Sequence, residues 1–145
     1  MYIGKVREVT QELLDALQRL MPQLGGHKQP PTREELSELI RSEASTLLVA
    51  RETDENSSIT GILCLTVYRV ATGLRSIIED VIVDDSMRRR GIGEALVRNA
   101  IGIARAAGAD GVSLTSNPRR EAANQLYRSL GFELRKTNPY FYQLK

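Results

Sequence analysis

Apolar residues in the first part of the chain follow first a strand-like and then a helical spacing. Residues 2–6 form a short apolar stretch, which predicts a first strand. Thr10 is the expected N-cap of the helix that follows. The apolar positions of that helix recur every three or four residues and are Leu13, Leu14, Leu17, Leu20, Met21 and Leu24. This spacing predicts an amphipathic helix, which Pro22 is expected to kink or shorten.

A second helix and three strands are predicted from the middle of the chain. Thr32 and Glu35 form a capping-box pattern, which predicts a helix through about residue 43. Three stretches that follow have the length and apolar content of strands. They lie at residues 47–51, 59–70 and 75–83, with a polar hairpin tip at residues 53–58.

The last third of the chain alternates between helical and strand patterns. The predicted elements are a helix at residues 91–107 that stops at Gly108, a strand at 112–115, a helix at 119–130, and a terminal hairpin of strands at 133–136 and 140–144 around Asn138 and Pro139. This order indicates a single α/β domain over residues 1–145, with a mixed sheet. Its one parallel pair would join the strands at 75–83 and 112–115, because a helix connects them.

Composition excludes several classes of protein. Hydrophobic residues at 41% and charged residues at 26% are typical of a globular chain. The net charge of +2 is too small to indicate a nucleic-acid or membrane partner. No apolar run approaches the roughly 20 residues that span a bilayer, and residues 1–5 do not resemble a secretory leader. The single cysteine, Cys64, excludes an internal disulfide framework, so a reducing cytoplasm is expected.

Residues 77–97 combine an apolar strand, a short turn, three arginines, two glycines and the start of a helix. The first N–H groups of a helix have no partner within it, and with the helix dipole they favour an anion. Gly91 and Gly93 have no Cβ, so a phosphate can approach the main chain. Positive charge is added by Arg88, Arg89 and Arg90. The segment therefore predicts a cradle for a diphosphate.

Two common nucleotide-binding motifs are excluded. The P-loop pattern, Gly-x-x-x-x-Gly-Lys followed by Ser or Thr, does not occur in the chain. A dinucleotide fingerprint would require glycine at the position of Leu96 and a carboxylate after the strand at residues 111–115, and neither is present.

Two motifs resemble those of the GCN5-related N-acetyltransferases. Residues 88–93, Arg-Arg-Arg-Gly-Ile-Gly, match that family's pyrophosphate loop, Arg/Gln-x-x-Gly-x-Gly/Ala, at every fixed position. Residues 126–132, Leu-Tyr-Arg-Ser-Leu-Gly-Phe, resemble the end of its late helix, Leu-Tyr-x-x-Leu-Gly-Phe. The resemblance implies the fold of that family, a mostly antiparallel mixed sheet with a splayed parallel strand pair and flanking helices.

The resemblance also implies a reaction. An acetyl group would pass directly from acetyl-CoA to a primary amine of a small molecule or peptide, within a ternary complex and without a metal. The residues implied to bind the cofactor are Val81, Ile82 and Val83 on the strand, Arg88, Arg89, Arg90, Gly91, Ile92, Gly93, Glu94 and Ala95 at the loop, and Asn124, which would bind the pantetheine arm.

Tyr127 occupies the position of the family's general acid, which protonates the departing thiolate. The alternative is a core tyrosine that packs beside Leu126 and Leu130. Asn124 lies one helical turn before Tyr127 on the same face. The alternative interpretation of Asn124 is an exposed helical residue that binds no ligand.

Glu79 and Asp80 interrupt an otherwise apolar strand, where carboxylates are depleted. Because successive side chains alternate between faces, one of the two is expected to face the substrate. The resemblance favours Glu79 as the general base. The alternatives are Asp80, a water path, or exposure of both side chains to solvent, and a bulge in the strand would change which way they face.

A cysteine route and a protein metal site are both less favoured. Cys64 is interpreted as a small buried residue, because an acyl-cysteine intermediate needs an activating base. The only histidine, His27, lies in the loop at residues 25–31. One histidine and one cysteine are too few for a typical metal site.

Two other functions remain as alternatives. One is a non-catalytic acyl-CoA-binding module that regulates a partner. The other is a nucleic-acid patch at the arginine triplet, which lacks the basic face and stacking aromatics that such binding needs. We expect no nucleic-acid or membrane partner, a homodimer is left open, and the sequence does not identify the acceptor amine.

Overall fold

The computed structural model describes residues 1–145 and contains five strands and four helices. The strands are β1 (Tyr2–Lys5), β2 (Ser45–Arg51), β3 (Ile59–Val70), β4 (Gly73–Val83) and β5 (Val112–Ser113). The helices are α1 (Gln11–Leu24), α2 (Arg33–Arg41), α3 (Ile92–Ala106) and α4 (Glu121–Ser129), and a single 3-10 turn spans Asp85–Met87. The predicted order of elements through residue 130 is confirmed, with boundaries that differ by a few residues.

The five strands form one sheet in the order β1-β2-β3-β4-β5. The first four strands pair antiparallel with their neighbours, and β4 pairs parallel with β5. The predicted fold class, an α/β fold with a mixed, mostly antiparallel sheet and one parallel pair, is therefore confirmed. The parallel pair is short, since only Ser76 and Ile77 of β4 have partners on β5.

The chain divides into two compact units, Met1–Thr115 and Ser116–Lys145. The first unit contains the sheet with α1, α2 and α3, and the second contains α4 and the C-terminal residues. One acetyltransferase domain over residues 1–145 stays a prediction.

The first unit buries its apolar residues on both faces of the sheet. On one face, Leu13, Leu17 and Leu20 of α1 and Leu36 of α2 form a cluster with strand residues such as Val49, Ile62 and Ile82. On the other face, α3 buries Ile92, Leu96, Val97, Ala100 and Ala104. The helical spacing in the sequence predicts these buried stripes because residues three and four apart share one side of a helix.

Two helix starts follow the predicted capping chemistry. The Thr10 hydroxyl accepts a hydrogen bond from the N–H of Leu13 at 3.1 Å. The capping box of α2 is complete, with Thr32 and Glu35 bonded reciprocally at 3.1 and 2.9 Å. Pro22 does not end α1, which continues to Leu24. A proline near the end of a helix removes only one of its last hydrogen bonds, so its effect there is small.

The predicted hairpin at residues 133–136 and 140–144 is wrong. Residues 133–145 have no strand and make no backbone–backbone hydrogen bond. The turn sequence gives a physical reason. Tight hairpins favour residues that adopt a positive φ, such as Asn-Gly. Here Asn138 is followed by Pro139, whose φ is fixed at a negative value. A two-stranded hairpin without a further layer is also only marginally stable in water.

Candidate functional site

β4 contains a bulge at the two carboxylates. Ile82 lies opposite Ile62, and Glu79 lies opposite Cys64, so the register shifts by one residue between these pairs. Asp80 takes up the extra residue with a φ of +54°, in the left-handed region. This conformation is uncommon outside glycine, but aspartate tolerates it better than most residues. The strict alternation of faces assumed from the sequence therefore stops at Asp80.

The free edge of β4 begins just before the bulge. Pairing with β5 ends at Ile77, while β4 continues to Val83. The residues in between, including the predicted main-chain ligands Val81, Ile82 and Val83, have no strand partner on the β5 side. Their edge can accept an extended ligand by strand-like hydrogen bonding, in the way that a peptide adds to a sheet edge. The Ile82 side chain itself is buried in the core.

The loop after β4 leads directly to the N-terminus of α3. Gly91 is the N-cap residue, with a φ of +77° and no side-chain cap. A Cβ at Gly91 would meet no atom within 4 Å, so the space beside its backbone is open. The first hydrogen bond of the helix joins the N–H of Ala95 to the carbonyl of Gly91 at 3.0 Å. The earlier N–H groups, those of Ile92, Gly93 and Glu94, consequently have no partner in the helix and are available to an anion.

The arginine triplet has two unengaged members. Arg88 forms an ion pair with Asp85 at 2.7 Å, and both side chains are exposed. Such a pair contributes little to stability. Arg89 and Arg90 are exposed and form no ion pair. Arg89 has a φ of +65°, a strained conformation of the kind that clusters at functional sites. Together the loop presents open backbone donors and two free guanidinium groups.

Two residues of α1 position this loop, and no motif in the sequence marks them. Arg19 donates from its Nε to Asp84 at 3.2 Å and from an Nη to the carbonyl of Ile59 at 2.7 Å. Gln23, one turn further, accepts a hydrogen bond from the N–H of Asp85 at 2.8 Å. The contacts with Asp84 and Asp85 connect residues more than 60 positions apart, so no local pattern predicts them.

Asp84 anchors the end of β4. Burial acts to raise the pKa of its carboxyl, but hydrogen bonds from the N–H and hydroxyl of Ser86 and from Arg19 outweigh burial, so the pKa is lowered. The carboxylate therefore stays ionised and caps the 3-10 turn that precedes the arginines.

Gly61 on β3 allows α3 to approach the sheet. A Cβ at this position would lie 2.9 Å from the carbonyl oxygen of Ile82 and 3.3 Å from both Ile92 and Leu96. The absent side chain thus helps to place the start of α3 against β3. Glycine inside a strand often marks such a close approach, and this signal was available in the sequence.

The two candidate bases are both exposed, and both lie near Cys64. Glu79 and Asp80 are exposed and form no ion pair. The pKa of the Cys64 thiol is raised to about 11, mainly by burial and further by the charges of Asp80 and Glu79. The expected burial of Cys64 is confirmed at 8% exposure. A thiol with this pKa stays protonated near neutral pH and is a poor nucleophile.

In the second unit, Tyr127 is the buried residue of α4, with 7% exposure. Its ring meets that of Phe132 edge to face, with centroids 5.8 Å apart, and the N–H of Phe132 donates to its carbonyl at 3.0 Å. Burial raises the pKa of Tyr127, and Arg120 partly opposes the increase. The hydroxyl therefore remains protonated at neutral pH and retains a proton that it can donate.

Asn124 has a structural role that its position in the motif does not reveal. Its Nδ2 donates to the carbonyls of Asn117 and Arg120 at 3.0 and 2.8 Å. Both contacts fix the turn that precedes α4, which leaves the amide oxygen as the free polar atom for a ligand.

Ser116, at the start of this turn, has a buried hydroxyl with no hydrogen-bond partner. It is a polar group that the motifs did not mark.

The fold and the loop together define a class of protein. In the mixed sheet of this chain, the fourth strand has a free edge. This strand leads to a helix N-terminus that has no side-chain cap and is preceded by arginines. The arrangement suits a cofactor that carries a diphosphate. Residues 10–132 match the model of the acetyltransferase (GNAT) family, and the chain belongs to this family. Its activity is therefore of the acyltransferase class, and the family uses acetyl-CoA as co-substrate.

The solved structures with the same fold belong to proteins that are named for different functions. An aminoglycoside acetyltransferase from an uncultured soil metagenomic sample, in complex with trehalose, is 22% identical, with 99% of this chain and 96% of that chain covered and a TM-score of 0.84. A Trypanosoma brucei acetyltransferase is 23% identical, with 98% and 99% covered and a TM-score of 0.78. A transcriptional regulator from Bacillus halodurans C-125 is 22% identical, with 98% and 100% covered and a TM-score of 0.79. At these identities the likeness concerns the fold. No curated protein matches the chain.

Two features are absent from the structure. No group of three or more potential metal ligands is present. No helix has the length and apolar character needed to cross a membrane.

Proposed function

We propose that this protein transfers the acetyl group of acetyl-CoA directly to a primary amine within a ternary complex. One observation carries the proposal. The N-terminus of α3 has no side-chain cap, and it follows a left-handed Gly91 with open space beside its backbone. Its free N–H groups, with Arg89 and Arg90, form the anion site that the diphosphate of CoA requires.

The proposed cofactor contacts extend from the loop to the free edge of β4. Backbone groups from Gly91 to Ala95 and the guanidinium groups of residues 88–90 would bind the diphosphate. The unpaired edge at Val81, Ile82 and Val83 would bind the pantetheine arm in the manner of an added strand. The amide oxygen of Asn124 is a proposed further contact to this arm.

The proposed chemistry assigns one residue to each proton. Glu79 takes a proton from the acceptor ammonium, either directly or through water, and the neutral nitrogen then attacks the thioester carbonyl. The C–N bond forms to give a tetrahedral intermediate, and its C–S bond then breaks while Tyr127 protonates the departing thiolate. The second proton on the new amide nitrogen passes to the Tyr127 oxygen, which restores the hydroxyl. Asp80 is the alternative base, because it is exposed beside Glu79. Cys64 takes no part, since its thiol stays protonated.

The proposed acceptor is a small-molecule or peptide amine. One relative with the same fold is named as an aminoglycoside acetyltransferase and was also solved in complex with sisomicin, which justifies including aminoglycosides among the first compounds tested. The exposed carboxylates of Glu79 and Asp80 would favour a cationic acceptor over an anionic one. The proposed location is the cytoplasm, where acetyl-CoA is available and the single thiol would stay reduced.

The decisive experiment follows thiol release from acetyl-CoA in the presence of amines, lysine peptides and aminoglycosides. At least one amine should release free CoA in step with the formation of its acetyl amide, measured by mass spectrometry. Tight binding of acetyl-CoA without transfer to any amine would instead support a non-catalytic regulatory module.

Gly93→Glu tests the proposed diphosphate site by itself. The added carboxylate would place negative charge and bulk at the first turn of α3. CoA binding should weaken by about 2 kcal/mol or more, since a charge at a helix N-terminus alone contributes about 0.3–2 kcal/mol. Calorimetric titration of the folded variant measures this. The control is Gly102→Glu on the same helix, where a Cβ would meet no atom within 4 Å, and equal CoA affinity in all three proteins would exclude the loop.

A further inference from the structure

The Glu79 side chain projects from the sheet face that α1 and α2 cover. Residues directly opposite each other in an antiparallel pair project from the same face. Glu79 lies opposite Cys64, and Cys64 lies opposite Leu47. Leu47 belongs to the apolar cluster that α1 and α2 form with the sheet. The first proposed base and the two helices are therefore on one side of the sheet.

The cover that the two helices provide ends at the level of Glu79. On one side of this level, Ile62 and Ile82 form a pair that is buried in the apolar cluster. On the other side, Thr66 and Ile77 form a pair whose side chains are only half-buried. The decrease in burial shows that the sheet face is open from Glu79 towards the turn between β3 and β4.

The open part of this face ends in an aromatic residue and a cation. Tyr68 and Arg75 form the next pair on the same face, because successive side chains alternate between faces. Tyr68 is 37% exposed. Arg75 is exposed, forms no ion pair, and donates from an Nη to the hydroxyl of Thr72 at 3.0 Å. This bond draws the guanidinium towards the turn, so it does not cover the face. We call Thr66, Tyr68, Arg75 and Ile77 the open strip.

The open strip lies where the body of an acceptor has room. In the proposed reaction Glu79 takes a proton from the acceptor ammonium, so the nitrogen must approach this carboxylate. The remainder of the acceptor then extends to one side of Glu79. The side of Ile82 is filled by the apolar cluster, whereas the side of Ile77 is open. The acceptor would therefore lie over Ile77 with its far end towards Tyr68 and Arg75.

The chemistry of the open strip favours one class of amine. Ile77 and the Tyr68 ring offer apolar surface beside the carboxylate, which suits an alkyl or aryl body. Arg75 would repel a second ammonium group and attract a carboxylate. The strip thus has apolar surface between a negative end at Glu79 and a positive end at Arg75. Polyamines and aminoglycosides carry further cations, and are disfavoured.

The spacing along β4 sets the length of acceptor that can meet both charges. Glu79 and Arg75 are four positions apart on this strand, so their Cα atoms are separated by roughly 13 Å at about 3.3 Å per residue. Both side chains are long and flexible and can lean towards each other. An amine with a body of roughly six carbons would therefore extend most of the way between the two charged groups.

We propose that the open strip binds the body of the acceptor and selects primary monoamines that have an apolar body and a neutral or anionic far end. This inference rests on the proposed function and adds the class of acceptor to it. Ile77 and Tyr68 contact the body, and Arg75 is the specificity-determining residue for the far end.

Three amines of equal length test the far end. Hexylamine, hexanediamine and ω-aminohexanoate carry a neutral, a cationic and an anionic far end respectively. In the parent, kcat/KM per amine group should be about five- to tenfold lower for hexanediamine than for ω-aminohexanoate, as expected when an exposed ion pair is replaced by a repulsion. Arg75→Glu should reverse this order. Arg69→Glu is the matched control, because it changes an exposed arginine on the opposite face of the same hairpin, and it should keep the order of the parent.

Tyr68→Ala tests the contact with the body. The KM for phenylbutylamine should rise about tenfold, because the variant removes the aromatic surface on which the phenyl ring would pack. The KM for acetyl-CoA and kcat should change little, and Tyr68→Phe should restore the KM of the parent. Tyr2→Ala is the control, since Tyr2 on β1 is also 37% exposed, and it should leave all three constants unchanged. CoA titration confirms that each variant is folded.

The outcomes separate this inference from the proposed function. If no amine releases thiol from acetyl-CoA, the proposed function and the inference both fail. If amines are acetylated without regard to the charge of the far end, the proposed function stands and the open strip is excluded. A parent that prefers hexanediamine or sisomicin to ω-aminohexanoate would also overturn the inference, as would an equal change of order in Arg69→Glu and Arg75→Glu.

Discussion

At the scale of single residues, Tyr127 has two possible roles, packing and proton donation, and only proton donation requires its hydroxyl. Its ring is buried against Phe132, and burial raises the pKa of its hydroxyl. Both properties suit a packed core residue and a general acid equally. The hydroxyl alone can distinguish the two roles, because the ring performs the packing.

Tyr127→Phe keeps the ring and removes this hydroxyl. Turnover should fall about 10²–10⁴-fold, the usual contribution of a general acid, while CoA affinity changes much less because the diphosphate loop is unaltered. Single-turnover kinetics and calorimetric titration on the same variant measure the two effects. Turnover close to that of the parent, with chemistry as the slow step, would assign Tyr127 to packing only.

The choice between the two exposed carboxylates is also a question of single side chains. Glu79→Gln should lower the rate mainly near neutral pH, with partial recovery at high pH, where the acceptor amine loses its proton without help. A pH–rate profile checks this. Asp80→Asn is the matched control, and a larger loss in that variant would exchange the roles of the two residues.

For Cys64 we predict that substitution does not affect activity. Because its thiol has a pKa of about 11, very little thiolate exists near neutral pH. Cys64→Ala should retain the activity of the parent and lose about 1 kcal/mol of stability, within the usual range for a small core change. Activity assays and denaturant unfolding measure these quantities. An acetylated Cys64 detected by mass spectrometry during turnover would contradict direct transfer.

At the scale of elements, the site depends on contacts between α1 and the loop that follows β4. Arg19 and Gln23 lie one turn apart on α1 and bond Asp84 and Asp85, where the loop begins. The helix therefore orients a loop to which it is not adjacent in sequence. Loss of these contacts should make the segment before the arginines more mobile, although the arginines themselves are unchanged.

Arg19→Ala combined with Gln23→Ala tests this support. CoA affinity should fall roughly 5- to 30-fold, as expected when hydrogen bonds worth about 1–2 kcal/mol are lost. Gln18→Ala, on the exposed side of the same helix, should leave the affinity unchanged. Calorimetry measures all three proteins, and equal affinities would mean that the loop holds its shape without α1.

At the scale of the whole molecule, the sequence predicts the fold better than it predicts the orientation of site residues. Elements with strong periodicity, such as α1 and α3, are predicted within a few residues because each buries one continuous stripe. The loop motif is local, so its position at the start of α3 is also predictable. Arg19 and Gln23 act through contacts between distant parts of the chain, which a motif does not contain.

The features that the sequence pattern does not determine have particular physical causes. The facing of Glu79 and Asp80 depends on a bulge at Asp80, and alternation alone cannot show where an extra residue is inserted. The terminal hairpin is predicted from apolar content in residues 133–144. Strand propensity describes side chains that fit a pleated surface, but it does not supply the turn or the neighbouring strand that a hairpin also needs.

The distribution of the tyrosines has an optical consequence. The chain has no tryptophan and five tyrosines, so tyrosine provides its near-ultraviolet emission. Tyr127 lies in the core, while Tyr140 and Tyr142 are 91% and 85% exposed. Two of the five tyrosines therefore lie in the C-terminal tail, residues 133–145, and their intrinsic fluorescence can report a change in the surroundings of that tail without any attached dye.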